Sequence, residues 1–111
     1  MATDSIKTSK VEVFTDILSN IDSRITINEH RIERYGRVCV LLARLNVITA
    51  IPNWTVLFTL RSDYTPLSNI LLVGTKGGTP YFITVDNSGN SRNYGQFPVG
   101  DYYTFFTTYI V

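Results

Sequence analysis

The apolar positions of this chain change their period once. From Val11 to Tyr35 they fall at Val11, Phe14, Leu18, Ile21, Ile25, Asn28, Ile32 and Tyr35, in alternating steps of three and four with one polar member. That is the a/d spacing of a heptad seam, narrower than the stripe of a helix packed on its own domain. It predicts an α-helix over residues 9–35, ~40 Å long at 1.5 Å per residue. Residues 1–8 precede it as a flexible lead, and Gly36 is a good stop.

The seam also predicts an assembly. Ile25 and Ile32 fall at a and Ile21 at d, and isoleucine at both positions shifts preference from two strands toward three or four. Arg24 then falls at g and Glu29 at e, where they would pair between neighbouring chains of a parallel coil. The stretch Arg24-Ile25-Thr26-Ile27-Asn28-Glu29 resembles the R-h-x-x-h-E pattern of trimeric coiled coils. The expected trimer interface is Phe14, Leu18, Ile21, Arg24, Ile25, Asn28, Glu29 and Ile32. Asn28 at d would fix register; its functional alternative is an ion held on the axis by three amides. The competing reading of the seam is a helix docked on its own β domain.

From residue 37 the pattern is that of strands. "RVCVLLARLNVIT" is too long and unbroken for a loop. "WTVLFTL" alternates, with Val56 and Phe58 on one face and Leu57 on the other. "NILLVGT" and "GGTPYFITVD" flank a turn at Lys76-Gly77-Gly78, "DNSGN" at 86–90 signals a hairpin, and "DYYTFFTTYIV" closes the chain. Six or seven strands at this spacing predict an antiparallel β-sandwich or barrel over residues 37–111. In the closing strand Tyr103, Phe105, Thr107 and Tyr109 share one face. Tyr102, Phe106 and Ile110 share the other with Thr104 and Thr108. Rings on both faces call for cover on both: the domain core on one, a neighbouring subunit on the other. The fold expected is therefore mainly β, a head preceded by a helical trimeric neck.

Composition agrees with this division. Residues 1–35 hold eleven Asp, Glu, Lys and Arg side chains, and residues 36–111 only eight. Twelve of the aromatics lie in the second part. The net charge of +1 draws the chain to neither nucleic acid nor anionic lipid. Cys39 is the one cysteine and lies in the apolar run VCVLL, where a small buried residue is expected. Residues 1–10 lack the apolar core of a signal peptide, and no apolar run approaches the ~18 residues of a membrane span.

Little in the sequence supports catalysis. His30 is the single histidine and would face solvent at heptad position f. The acids of the β part are Asp63, Asp86 and Asp101, in separate loops, and two sit in turn contexts where Asp caps. No phosphate loop, zinc-protease or nucleophile-elbow motif is present. No catalytic residue, metal or cofactor is expected. Binding remains. Rings stack on sugar faces while Asn, Asp and Arg satisfy hydroxyls. The loop candidates are Asn53, Trp54, Arg61, Asp63, Tyr64, Arg92, Asn93, Tyr94, Asp101 and Tyr102. Of these Trp54, Arg61, Asp63, Tyr64, Arg92, Tyr94 and Asp101 form the expected saccharide set. The bland reading is core for Trp54, at the start of a strand, and packing scaffold for Tyr64.

Three stretches resemble the C-terminal heads of receptor-binding or baseplate proteins from tailed phages of Gram-positive bacteria. "WTVLFTLRSDYTP" resembles the family's W-T-x-x-x-T-L-P-x-x-Y-R-P segment. "ITVDNSGN" resembles its strand–turn–strand, and "GDYYTFFTTYIV" its closing strand. The likeness covers residues 37–111. Where the family has L-P this chain has Leu60-Arg61, and for Y-R-P it has Tyr64-Thr65-Pro66, so no ligand contact transfers there. The resemblance implies a homotrimeric tail-fibre or baseplate head on the virion, made in the host cytoplasm. Its ligand would be host cell-wall polysaccharide or teichoic acid, and its attachment partners upstream baseplate proteins. The alternatives are a structural connector head with no receptor site and, third, a small tail lyase or esterase.

Overall fold

The heptad-spaced segment forms strands joined by a turn at residues 20–24 where the structure describes it. A computed structural model gives the backbone of residues 10–12 and the whole of residues 18–111. Its strands are β1 (Lys10–Glu12), β2 (Leu18–Ser19), β3 (Ile25–Tyr35), β4 (Val38–Val47), β5 (Val56–Leu60), β6 (Ile70–Lys76), β7 (Thr79–Val85), β8 (Asn90–Tyr94) and β9 (Gly100–Ile110). A short 3-10 turn spans Ser62–Tyr64. All nine strands form one antiparallel sheet in the order β1-β3-β4-β9-β6-β7-β8-β5-β2. No α-helix occurs among the described residues.

The predicted coil is therefore corrected over its described part. In a helix, a spacing of seven keeps Ile25 and Ile32 on one face. In a strand of period two, seven is odd and should put them on opposite faces. A β-bulge resolves the conflict. Ile27 pairs with Leu45 and Glu29 with Arg44, so Asn28 is an extra residue. The parity flips there, and Ile25 and Ile32 both enter the core at 4% and 1% exposure. Arg24 and Glu29, expected to pair between chains, each have a partner within the chain. Arg24 grips Asp22 at 2.9 and 2.8 Å, and Glu29 pairs with Arg44 at 2.7 Å. Asn28 is exposed and donates its amide to Asn46 at 2.6 Å. Leu18 is half-buried against Leu60, its partner across the β2–β5 ladder. Ile21 is exposed. Phe14 lies outside the described residues. His30, expected in solvent, is half-buried on β3.

The β part follows the sequence more closely, in the form of a curled half-barrel. A short tether forces the curl. β3 and β2 stand seven places apart in the strand order, which would separate them by ~34 Å in a flat sheet with strands ~4.8 Å apart. Yet Ser19 and Ile25 are joined by six peptide units, with a reach of at most ~22 Å. Main-chain bonds hold that connection in place, from Asp22 N to Leu57 O at 2.9 Å and from Ile48 N to Arg24 O at 2.7 Å.

The concave face is the core. β4 alternates cleanly, and Cys39, Leu41, Ala43 and Leu45 are fully buried. Burial raises the Cys39 thiol pKa. Opposite them β9 turns Tyr103, Phe105 and Tyr109 inward, as the alternation predicted, with Thr107 half-buried. Phe97 stacks on Tyr103 and Phe105 at 5.3 and 5.8 Å. Tyr109 donates its buried hydroxyl to Tyr64 O at 2.7 Å, tying β9 to the 3-10 turn. Gly74 lets β6 lie flush on β9, since a Cβ there would sit 2.4 Å from Thr104 O. The Gly77-Gly78 turn has positive φ at both residues, as a tight hairpin requires. One expectation within β5 changes: Leu57 and Phe58 are both fully buried, because the β5–β8 register shifts between Val56 and Phe58 and breaks the alternation.

Strand and coil differ in a measurable way. Ile32→Ala should cost about 2–5 kcal/mol in urea unfolding, the range for emptying a buried aliphatic site. Asn28→Ile, which would fill a seam layer in a coil, should give no stabilisation, because it removes the bond to Asn46. A stabilised Asn28→Ile protein would contradict the strand.

Candidate functional site

The convex face of the sheet carries the chemistry. Register places Leu71, Thr84 and Arg92 in one row across β6, β7 and β8. Val73, Phe82 and Tyr94 form the next row. Over the first row lies a groove of about 380 Å³ whose lining includes Trp54, Asn69, Leu71, Thr84, Asp86, Asn90 and Arg92. It shares Leu71 and Thr84 with an apolar hollow of about 300 Å³ completed by Phe82 and Tyr94. Trp54, from the loop before β5, thus joins Arg92 and Tyr94 of β8 on one surface, three of the expected saccharide residues.

Trp54 is held there by its neighbours. It is 54% exposed, so it is not core, and its φ of +66° lies in the left-handed region. That conformation costs a non-glycine residue roughly 1–2 kcal/mol and persists only where surrounding bonds impose it. Asn93 imposes it. Its buried amide donates to Pro52 O at 2.9 Å and Gly95 O at 2.8 Å. Its side-chain oxygen accepts from Thr55 N at 2.8 Å. Its main-chain oxygen accepts from Trp54 N at 3.0 Å. Asn53 closes the clamp by accepting from Gly95 N at 2.7 Å. Asn93, a ligand candidate from sequence, is instead the brace of the loop. The indole is left with one face toward the Arg92 guanidinium, 5.7 Å from the ring centroid.

The polar end of the groove is an ordered pair. Arg92 donates to Asp86 at 3.0 Å, while the other Asp86 oxygen accepts from Ser88 N at 2.9 Å and Asn90 N at 3.1 Å. Burial works against the Asp86 carboxylate, but the Arg92 bond and the two main-chain amides outweigh it, and its pKa lies below the ordinary value. The groove therefore presents an ionised, mutually neutralised pair beside an open aromatic ring. Asn90 was absent from the expected set, as was Asp86, whose turn context pointed to a cap; it is both cap and lining.

The remaining expected residues lie elsewhere. Arg61 clamps Asp63 through two bonds of 2.7 and 2.9 Å, and that guanidinium lowers the Asp63 pKa despite some burial. Tyr64 is buried at 2%, under Arg61 and Arg34, whose guanidinium carbons stand 5.2 and 6.0 Å from its ring centroid. It is scaffold. Asp63 lines a second, open cleft of about 620 Å³ with Arg34, Arg37, Thr65, Asn87 and Val111. Asp101 is exposed at the start of β9 and lines none of these cavities. Among the described residues no cluster of three or more His, Cys, Asp or Glu side chains is placed to hold a metal.

Fold and surface together define an open antiparallel β half-barrel with an aromatic-and-polar groove on its convex face. Compared with known proteins, the chain matches no family model and no curated sequence.

The acid limb of stability follows from the lowered carboxylates. Hydrogen bonding to Arg24 lowers Asp22 against a smaller opposing effect of burial, and Asp63 and Asp86 are also lowered. A depressed folded pKa stabilises above the unfolded value of about 3.9, and that stability is lost as pH falls through the folded pKa. Thermal midpoints should hold from neutral pH down to about pH 5 and drop as pH falls below about 4. Asp86→Asn should lower the midpoint at pH 7 and shrink the drop at pH 2.5. An unchanged drop would remove Asp86 from this account.

Proposed function

We propose that the chain is the β head of a tailed-phage receptor-binding or baseplate protein, adhering to host cell-wall saccharide as a homotrimer on the virion. The observation that carries the adhesive reading is the convergence of Trp54, Arg92 and Tyr94 on the convex face beside Asp86 and Asn90. An exposed ring next to hydrogen-bonding side chains is what a pyranose needs: apolar C–H faces stack, and ring hydroxyls find donors and acceptors. The Arg92–Asp86 pair is internally neutral and so favours neutral or mixed sugars. Three weak sites on one rigid trimer, repeated over many trimers, would supply avidity. The stretches resembling the phage heads fall on β5 with its 3-10 turn, on the β7–β8 hairpin and on β9.

The convex face supports self-association without a coil. Tyr102, Phe106 and Ile110 of β9 are 65%, 56% and 53% exposed, as are Leu71 and Val73 of β6 at 47% and 50%. A row Leu42–Phe106–Val73 crosses β4, β9 and β6. Exposed apolar patches of a few hundred Å² mark interaction surfaces. The same face favours the second reading, a structural trimeric head with no receptor site, if neighbours cover Tyr94.

Binding tests separate the two. Titrated with host cell-wall oligosaccharide at millimolar concentration, the protein should bind, and Trp54→Ala and Tyr94→Ala should each weaken binding at least tenfold. Trp54→Gly should keep or raise the thermal midpoint, since glycine accepts the positive φ, while losing binding. No binding by the intact protein sinks the adhesive reading and leaves the structural one. Light scattering at micromolar concentration should give three times the chain mass of 12.6 kDa. Phe106→Asp should return a folded species of single-chain mass; a monomeric parent protein would end the trimer proposal.

A further inference from the structure

The two oxygens of Asp86 are divided between two partners. Oδ1 accepts from Ser88 N at 2.9 Å and Asn90 N at 3.1 Å, and so caps the β7–β8 hairpin turn. Oδ2 accepts from Arg92 at 3.0 Å. The turn also has bonds that do not use the Asp86 side chain. Gly89 N donates to Asp86 O at 2.9 Å, and Asp86 N to Asn90 O at 3.1 Å. Leu60 N donates to Gly89 O at 2.9 Å and fastens the tip of the turn to β5. The turn is thus held by its main chain, and the oxygen facing Arg92 is spare to it.

Among the described residues, the lining of the groove holds one acid and one base, Asp86 and Arg92. Their side chains are 28% and 27% exposed, so salt screens the pair less than a pair in open solvent. The guanidinium stands 5.7 Å from the centroid of the Trp54 ring. Without the acid, Arg92 would be the one net charge of the groove, beside an open indole. A carboxylate is the partner that a guanidinium fork fits best. With the acid in place, an incoming carboxylate meets a like charge already seated on the arginine. Repulsion of that kind is how a site rejects a competing ligand.

We propose that Asp86 is the specificity-determining residue of the groove. By holding Arg92 on Oδ2 it shuts out sugars that carry a carboxylate and leaves the Trp54 ring to uncharged ones. The inference deepens the saccharide reading and rests on it for the class of ligand. The exclusion itself is a property of the ion pair and is tested apart from that reading.

The test is a titration with glucose and with glucuronate at fixed ionic strength, read from the emission of Trp54, the one tryptophan of the chain. The parent protein should bind glucuronate no more tightly than glucose. Asp86→Asn keeps an oxygen for the turn amides and sets an N–H donor against Arg92, which frees the guanidinium. It should bind glucuronate at least fivefold more tightly than the parent does, and glucose no more tightly. Adding Arg92→Gln should abolish the gain. Asp101→Asn makes the same change in net charge at an exposed position that lines none of the cavities, and should show no gain. If Asp86→Asn fails to fold, Asp86→Ser can cap the turn without reaching Arg92 and should show the same gain. A parent that prefers glucuronate, an Asp86 variant with no gain, a gain that survives Arg92→Gln, or an equal gain in Asp101→Asn would overturn the role. Host cell-wall oligosaccharide decides the adhesive reading separately. A gain of glucuronate binding in a protein that binds no wall saccharide would uphold this inference while that reading fails.

Discussion

The structure depends on one short tether. Five residues connect β2, at one edge of the nine-stranded order, to β3, next to the other edge. They do not reach across a flat sheet, so the sheet must curl. Curling needs local twist, and β-bulges supply it. Asn28 is the extra residue on β3, and Asp101 with Tyr102 face one residue of β4. The two irregularities are joined through Asn46, whose side-chain oxygen accepts from Asn28 at 2.6 Å and from Tyr102 N at 2.9 Å. Tyr102 takes a positive φ at this point. The bend in the sheet is thus fixed by a single amide bridging neighbouring strands.

That bend separates the two faces by role. The concave side gathers the Tyr103, Phe105, Phe97 and β4 core, where close packing excludes polar groups apart from Ser91 and Asn93. Asn93 is tolerated because its amide is fully engaged, and that engagement holds the Trp54 loop in a conformation it would not otherwise keep. Stability invested inside the barrel is transmitted to an exposed ring outside it. The convex side keeps its aromatics in the open, beside an ion pair ordered by a hairpin turn.

The two surface cavities differ in how their arginines are used. In the groove Arg92 is neutralised by Asp86 and lies over an indole, an arrangement suited to an uncharged ring. In the cleft Arg34 is held by the carbonyl oxygens of Gly36 and Asp63, which position a guanidinium without cancelling its charge. One residue type thus gives two kinds of surface, and the partner that holds it decides which.

The alternation in VCVLLARLN and in the closing strand, the paired glycines after Lys76 and the DNSGN turn determined β4, β9, β6, β7 and β8 from sequence alone. These signals are local, since strand period and turn chemistry act over a few residues. The sequence also marked Trp54, Arg92 and Tyr94 as binding types. Strand period alone puts Arg92 and Tyr94 of β8 on one face, and that Trp54 joins them follows from the β5–β8 pairing. The segment from Leu18 to Tyr35 carries a helical spacing yet folds as strands, for a physical reason. A spacing of seven satisfies a helix without help and a strand only with one bulge, and the bulge at Asn28 forms because β4 offers Ile25 and Ile32 a common core. Local pattern left both structures open, and the long-range pairing with β4 chose between them.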